Sequence, residues 1–142
     1  MSSPDRASTP ERPRYRTAVI DVYKRQERVI LISDSMRAAG MPDGQYTLGG
    51  QDVTVRGRHA TLADGTLAGS VTDLMGCLQT AVSMGIPLAA AVRAAAVNPA
   101  RAIGAYSRVG SLESGMLANL AILNGDYSLR TVIFLGEVVA AN

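Results

Sequence analysis

Val29-Ile30-Leu31-Ile32-Ser33 is an unbroken apolar, β-branched run that closes on a polar residue, and Asp34 follows it at once. Such a run predicts a strand buried on both faces, as found in parallel sheets covered by helices. The C-terminal end of such a strand is where α/β folds place their chemistry. A carboxylate at that point can take a proton from an attacking water and later deliver it to a leaving amine. A loop acid or helix cap is the other reading of Asp34.

Downstream, residues 36–66 carry Gly40, Gly44, Gly49, Gly50, Gly57 and Gly65 between short alternating stretches. Tyr46–Leu48 and Gln51–Arg56 read as an antiparallel hairpin, with Ala60–Leu62 as a third piece. Ser70-Val71-Thr72-Asp73 opens a helix, with Ser70 as the expected cap and Asp73 at its third position. Leu74, Leu78, Ala81 and Val82 follow at helical spacing, Gly85 stops the helix and Pro87 can start another. Leu88, Val92, Ala95 and Ala96 share a face until Asn98-Pro99, which is expected to interrupt the helix before one more turn over Ala100–Ile103. Gly104 is a candidate C-cap. The last third turns to β structure, with strands expected over Leu117–Leu123, Thr131–Leu135 and Glu137–Ala140.

Upstream lies a polar run, Lys24–Arg28, preceded by a strand-like patch at Ala18–Tyr23. Residues 1–18 are rich in Pro, Ser, Thr and Arg without periodicity, and are expected to be disordered. Residues 1–28 hold seven basic and four acidic groups, and the remainder seven basic and eight acidic ones. The pI near 9.0 therefore belongs to the head, while the body is close to neutral. No aromatic or Gly-rich RNA motif accompanies the basic head, so nucleic acid is not an expected partner. No apolar run reaches the length of a membrane span and the N-terminus lacks a signal-peptide core, so a cytoplasmic location is expected.

The chain has 142 residues, enough for a domain but short of the ~250 of a closed eight-fold βα barrel. Cys77 is the single cysteine, which excludes an internal disulfide and a Cys-rich zinc module. It lies in an apolar helical stretch and reads as a structural thiol. His59, the only histidine, falls in the polar turn Arg56–His59 and reads as a solvated loop residue; one imidazole cannot build a histidine-rich metal site. Small residues in Asp64–Ser70, just before the helix, allow backbone to approach a ligand. A plain strand-to-helix connection is the other reading of that stretch. Met36, Met41, Met75, Met84 and Met116 read as core or gap-filling residues.

Three stretches taken together resemble the C-terminal region of the N-acetylglucosamine-6-phosphate deacetylases, a family of the amidohydrolase superfamily. They are VILISDSMRAAGMPDGQYTLGG, ATLADGTLAGSVTDLMGCLQTAV, and AVRAAAVNPARAIG with VGSLESGMLANLAIL. The resemblance covers about Arg28 to the C-terminus. It implies an α/β fold: the C-terminal part of a metal-dependent (β/α) barrel (last barrel strand, β-hairpin excursion, two helices) plus part of a small β-sandwich. The implied boundaries are residues 1–27 as an extraneous or disordered head, 28–108 as barrel, and 109–142 as sandwich strands.

By the same resemblance, Asp34 falls on the family's catalytic aspartate, and Leu67, Ala68 and Gly69 on its substrate-contacting segment. The implied activity is hydrolysis of the acetamide of N-acetylglucosamine 6-phosphate, giving glucosamine 6-phosphate and acetate. The implied partner is a phosphorylated amino sugar, in a family often homo-oligomeric. The implied cofactor is a divalent metal, zinc or iron, whose glutamate and histidine ligands have no counterpart here. Ser35, Ser114 and Met116 depart from the usual family residues at positions that set loop rigidity. Two other readings stay open: a non-catalytic truncated fragment, and a different amidohydrolase of the adenine deaminase or dihydroorotase kind.

Overall fold

The structure, a computed structural model, describes residues 27–141. The expectations for residues 1–18 and Ala18–Tyr23 lie outside the described residues. Two sheets and a set of helices make up the rest. Strands β1 (Gly44–Leu48), β2 (Gln51–Arg56), β3 (His59–Thr61) and β4 (Leu67–Gly69) form an antiparallel meander in chain order. Helices α1 (Leu74–Ser83), α2 (Leu88–Val92) and α3 (Asn98–Ala102) follow, with a π-helical turn over Arg93–Val97 between the last two. Strands β5 (Leu120–Leu123), β6 (Leu129–Phe134) and β7 (Glu137–Ala141) form a second meander.

Val29–Asp34 does not join a ladder among the described residues; a single parallel bridge, Ser35 to Ser70, marks its end. Nor is it buried on both faces, as the apolar run predicted. Val29, Leu31 and Ser33 are half-buried, while Ile30 and Ile32 on the opposite face are exposed at 40% and 67%. The physical reason is that only one face has a partner. Leu31 packs on the helical core of Leu78, Ala81 and Ala91, and no described strand or helix covers Ile32. The second core, Met36, Ala38, Val53, Val55 and Ala60, lies between the turn after Asp34 and the first sheet. Asp34 therefore stands where the chain passes from one core to the other.

The helix boundaries show how local chemistry selects ends. Asp73, not Ser70, caps α1: its backbone is extended and its Oδ1 accepts from Gly76 N–H at 2.6 Å. Ser70 stays in the sheet because its carbonyl takes the Met36 N–H at 2.8 Å and its hydroxyl takes the Thr72 N–H at 3.3 Å. Gly85, at φ +90°, ends the helix by donating to the Val82 carbonyl, while Ile86 N–H reaches back to Ala81. This paired closure needs the left-handed residue that glycine supplies. Gly104 closes α3 with the same two-bond pattern, to Arg101 and from Ala105 to Ala100.

Asn98-Pro99 does not interrupt the helical backbone. Arg93, Val97 and Asn98 all keep right-handed helical angles, and Pro99 sits in the first turn of α3. The π turn absorbs the proline, because a widened turn leaves a gap in the hydrogen-bond ladder where a missing N–H costs little.

In the second sheet, β6 and β7 are joined by the two-residue turn Leu135-Gly136, both at positive φ (+53° and +90°). That geometry matches the twist of a hairpin. It is pinned by Asn119 Oδ1, which accepts from Leu135 N–H at 2.8 Å, and by the Ala118 carbonyl, which accepts from Gly136 N–H at 3.0 Å. Every residue of β7 is exposed, while β5 and β6 mix exposed with half-buried residues. Gln79 ties this sheet to α1 by donating to the Tyr127 carbonyl at 3.0 Å.

Gly110 is the tightest backbone approach between the helices and the following loop. Its φ is +108°, and a Cβ there would lie 3.0 Å from Ala100 Cβ and 3.3 Å from the Ala96 carbonyl oxygen. Neither neighbour is a flexible side-chain tip. Gly110→Ala is expected to destabilise the fold by about 1–3 kcal/mol through strain and overlap together. Urea unfolding of the two chains measures this, and an unchanged midpoint would refute the packing described.

Candidate active site

Asp34 is exposed and holds a left-handed backbone, φ +48°. Aspartate tolerates this region better than most residues, yet it remains sparsely populated outside glycine. Such conformations persist where surrounding structure over-determines them, and they cluster at functional sites. The over-determination is visible on both sides. Three residues earlier, Leu31 N–H donates to the Ala94 carbonyl at 2.9 Å; two residues later, Met36 N–H donates to the Ser70 carbonyl at 2.8 Å. Leu31 and Met36 also enter different cores.

The Ser35–Ser70 bridge sets Asp34 next to the end of β4. Leu67, Ala68 and Gly69 are that strand, so this part of the small-residue stretch is regular structure and not a plain connection. Antiparallel pairing fixes it, Ala60 opposite Gly69 and Thr61 opposite Leu67. Leu67 is 70% exposed, Ala68 packs on the Val53–Ala60 core, and Gly69 presents bare backbone. A Cβ on Gly69 would meet Met36 Sδ and Leu48 Cδ2 at 3.5 Å, ordinary contact, so the glycine is spared rather than demanded by packing. The turn before β4 is held by Asp64, whose Oδ1 accepts from Thr66 N–H at 2.9 Å. The Thr66 hydrogen bonds hold the Asp64 carboxyl below the usual carboxylate value.

A cavity of about 650 Å³ lies beside this segment but on its other side. Ser33 and Ser35 line it with Arg58, Thr72, Asp73 and Gln79, whereas Asp34 does not. Its polar groups are largely occupied: Arg58 donates to Thr72, Ser35 to the Thr72 carbonyl, and Asp73 caps α1. Neither Asp34 nor Leu67, Ala68 or Gly69 lines this cavity.

The remaining candidates stay apart from Asp34. His59 is exposed on β3, opposite Arg56. Cys77 is half-buried in α1, and burial, followed by the Asp73 charge, pushes its thiol up, which opposes a thiolate nucleophile. Among the described residues no three His, Cys, Asp or Glu side chains gather into a group able to hold a metal ion. The zinc or iron that the resemblance implies therefore does not fit the residues described. No described helix is long and apolar enough to cross a membrane. Sequence reasoning missed the left-handed backbone of Asp34 and the docking of its segment on the π turn. The Asn98-Pro99 pair was the available signal.

Comparison with known proteins matches residues 14–139 to the family described as "Amidohydrolase family". The chain is 35% identical over 116 residues to a protein of Escherichia coli (strain K12) named "Putative N-acetylgalactosamine-6-phosphate deacetylase", covering 81% of this chain and 70% of that one. It is 39% identical over 116 residues to the N-acetylglucosamine-6-phosphate deacetylase of Bacillus subtilis (strain 168), covering 81% of this chain and 29% of that one. Its structure is similar to the crystal structure of N-acetylglucosamine-6-phosphate deacetylase from Pasteurella multocida. The TM-score is 0.81 at 29% identity, over 90% of this chain and 34% of that one. The chain thus spans about a third of the length of the Bacillus and Pasteurella proteins.

The lowered Asp64 carboxyl gives the β3–β4 turn a defined pH response. A depressed carboxylate contributes stability above its unfolded value, near 3.8, and loses it as pH falls through the folded value. The Thr66 amide resonance is expected to hold constant from about pH 5 to 8 and to shift only below about pH 4. A shift centred near neutrality would show that another group controls the turn.

Proposed function

The chain belongs to the amidohydrolase family, and on that premise we propose that it carries the acid–base aspartate and one substrate-facing strand of a deacetylase for N-acetylglucosamine 6-phosphate. The single observation that carries this reading is the Ser35–Ser70 bridge. It brings the Asp34 segment beside β4, two motifs far apart in sequence that the chemistry needs together. The names of the relatives support the substrate class, an N-acetylated hexosamine bearing a 6-phosphate.

In this reading a carboxylate oxygen of Asp34 accepts a proton from the water that attacks the acetamide carbon. The C–N bond then breaks, and the same oxygen returns the proton to the departing amine nitrogen, leaving acetate and the free amino sugar. Leu67, Ala68 and Gly69 line the acetamide side of the sugar, where exposed backbone and one apolar side chain fit a small methyl-bearing group. In the zones proposed, residues 28–108 go with the barrel and residues 109–142 with the sandwich; the change falls in the loop between α3 and β5. A cytoplasmic setting, in which the free Cys77 stays reduced, accompanies this assignment.

A second reading, that this chain by itself is not a catalyst, draws on the lack of a metal-holding group among the described residues and on the uncovered Ile30 and Ile32. The two readings apply to different objects and are tested together. The purified 142-residue chain is expected to release no acetate from N-acetylglucosamine 6-phosphate above a protein-free blank, with zinc or iron(II) supplied. Release that disappears in Asp34→Asn would refute this. A chimera with residues 28–141 in place of the matching segment of the Bacillus subtilis deacetylase is expected to be active. Asp34→Asn in that chimera should lower kcat by roughly 100- to 10,000-fold. An undiminished rate in the Asp34→Asn chimera would refute the role given to Asp34. A folded chimera that turns over only the galactosamine epimer would refute the substrate.

A further inference from the structure

The helical run that follows Pro87 reaches Asp34 through its backbone. Within the π turn, Asn98 N–H donates to the Arg93 carbonyl, five residues back instead of four. The Ala94 carbonyl thereby loses its usual α-helical donor, residue 98. In a continued π turn the next donor would be residue 99, but Pro99 has no N–H. Leu31 N–H takes the carbonyl instead, at 2.9 Å. Beside it, the Asn98 side-chain Nδ2 donates to the Val29 carbonyl at 2.6 Å. Asn98 is only 3% exposed, so water is a poor substitute for either contact.

We propose that Asn98-Pro99 is a positioning pair for Asp34: Pro99 keeps the Ala94 carbonyl open for Leu31, and Asn98 holds Val29. The segment so gripped ends at Asp34, and the Met36–Ser70 hydrogen bond grips it from the other side. Between the two anchors the backbone is held at φ +48°; with one anchor released, a non-glycine residue returns to the extended region. The proposal rests on Asp34 as the acid–base group for its catalytic meaning, while its geometry stands on these hydrogen bonds alone.

Pro99→Ala is the discriminating variant. It restores an N–H that competes with Leu31 for the Ala94 carbonyl, and alanine favours a helix over proline. A merely structural role for Pro99 would leave the full chain equally or more stable and Asp34 untouched. The positioning role requires the Leu31 amide to exchange about tenfold faster. It also requires the Asp34 Cα and Cβ chemical shifts to move toward extended values while Val53, Val55 and Ala60 keep theirs. Asn98→Asp, which removes the donor at nearly constant volume, is expected to produce the same Asp34 shift. Unchanged Leu31 exchange and Asp34 shifts in a folded Pro99→Ala chain overturn the proposal, even where Asn98→Asp fails to fold. In the Bacillus chimera, Pro99→Ala should lower kcat with KM within about twofold.

These outcomes separate from those for deacetylation. Altered Asp34 shifts with a chimera that tolerates Asp34→Asn keep the positioning geometry and remove the proposed chemistry. Unaltered shifts with an Asp34-dependent chimera do the reverse.

Discussion

A backbone N–H that leaves water must find a carbonyl, and in this protein the one at Leu31 finds it in a helix. The Leu31–Ala94 hydrogen bond, 2.9 Å long, exists because a π turn and a proline together leave a carbonyl without its usual donor. Ordinary α-helix interiors offer no such acceptor. With it, the Val29–Asp34 segment has a fixed height and rotation against the helices even though no described strand pairs with it. Without it, the segment would keep the Asn98–Val29 hydrogen bond and its side-chain packing, but Leu31 would lose its directional hold on the helix.

From that contact the order of the rest follows. Leu31 enters the alanine-rich helical core, and five residues later Met36 enters the core of the first sheet. Neither core is large, and both rely on small residues, Ala38 and Ala60 in the first sheet's core and Ala81 and Ala91 in the helical one; Gly110 likewise lets its backbone approach Ala100. The second sheet contributes no buried residue and is held mainly at its turns, by Asn119 on Leu135 and by Gln79 on Tyr127. Among the described residues, the buried ones lie between Met36 and Ala100, and none lies in β5, β6 or β7.

The arrangement also explains why the notable cavity and the candidate chemistry lie apart. Along an extended segment, alternate residues face opposite sides. The alternation holds over Val29–Ser33, where Ile30 and Ile32 are uncovered, and the left-handed Asp34 ends it; Ser33 and Ser35 line the cavity beside α1, and the exposed Asp34 does not. Asp34, Ile30 and Ile32 are all left exposed by the described residues. Membership of the amidohydrolase family, with a chain about a third the length of the Bacillus relative, is consistent with that geometry.

Sequence alone carried the β1–β2 hairpin and the third piece that is β3, the helix ends at Gly85 and Gly104 and the candidacy of Asp34, because each depends on neighbours within a few residues; it did not carry β4. It also carried the family resemblance, through motifs such as LAGS and NPARAIG. Tertiary structure decided what those local rules left open. Ser70 lost the helix cap to Asp73 once Met36 claimed its carbonyl. Pro99 passed through a helix that it was expected to break, because Leu31 used the carbonyl it left free. Ile32 stayed exposed because burial of a strand's second face requires a second layer. Asp34 holds a left-handed backbone between anchors on two separate cores, a constraint that no local sequence signal carries.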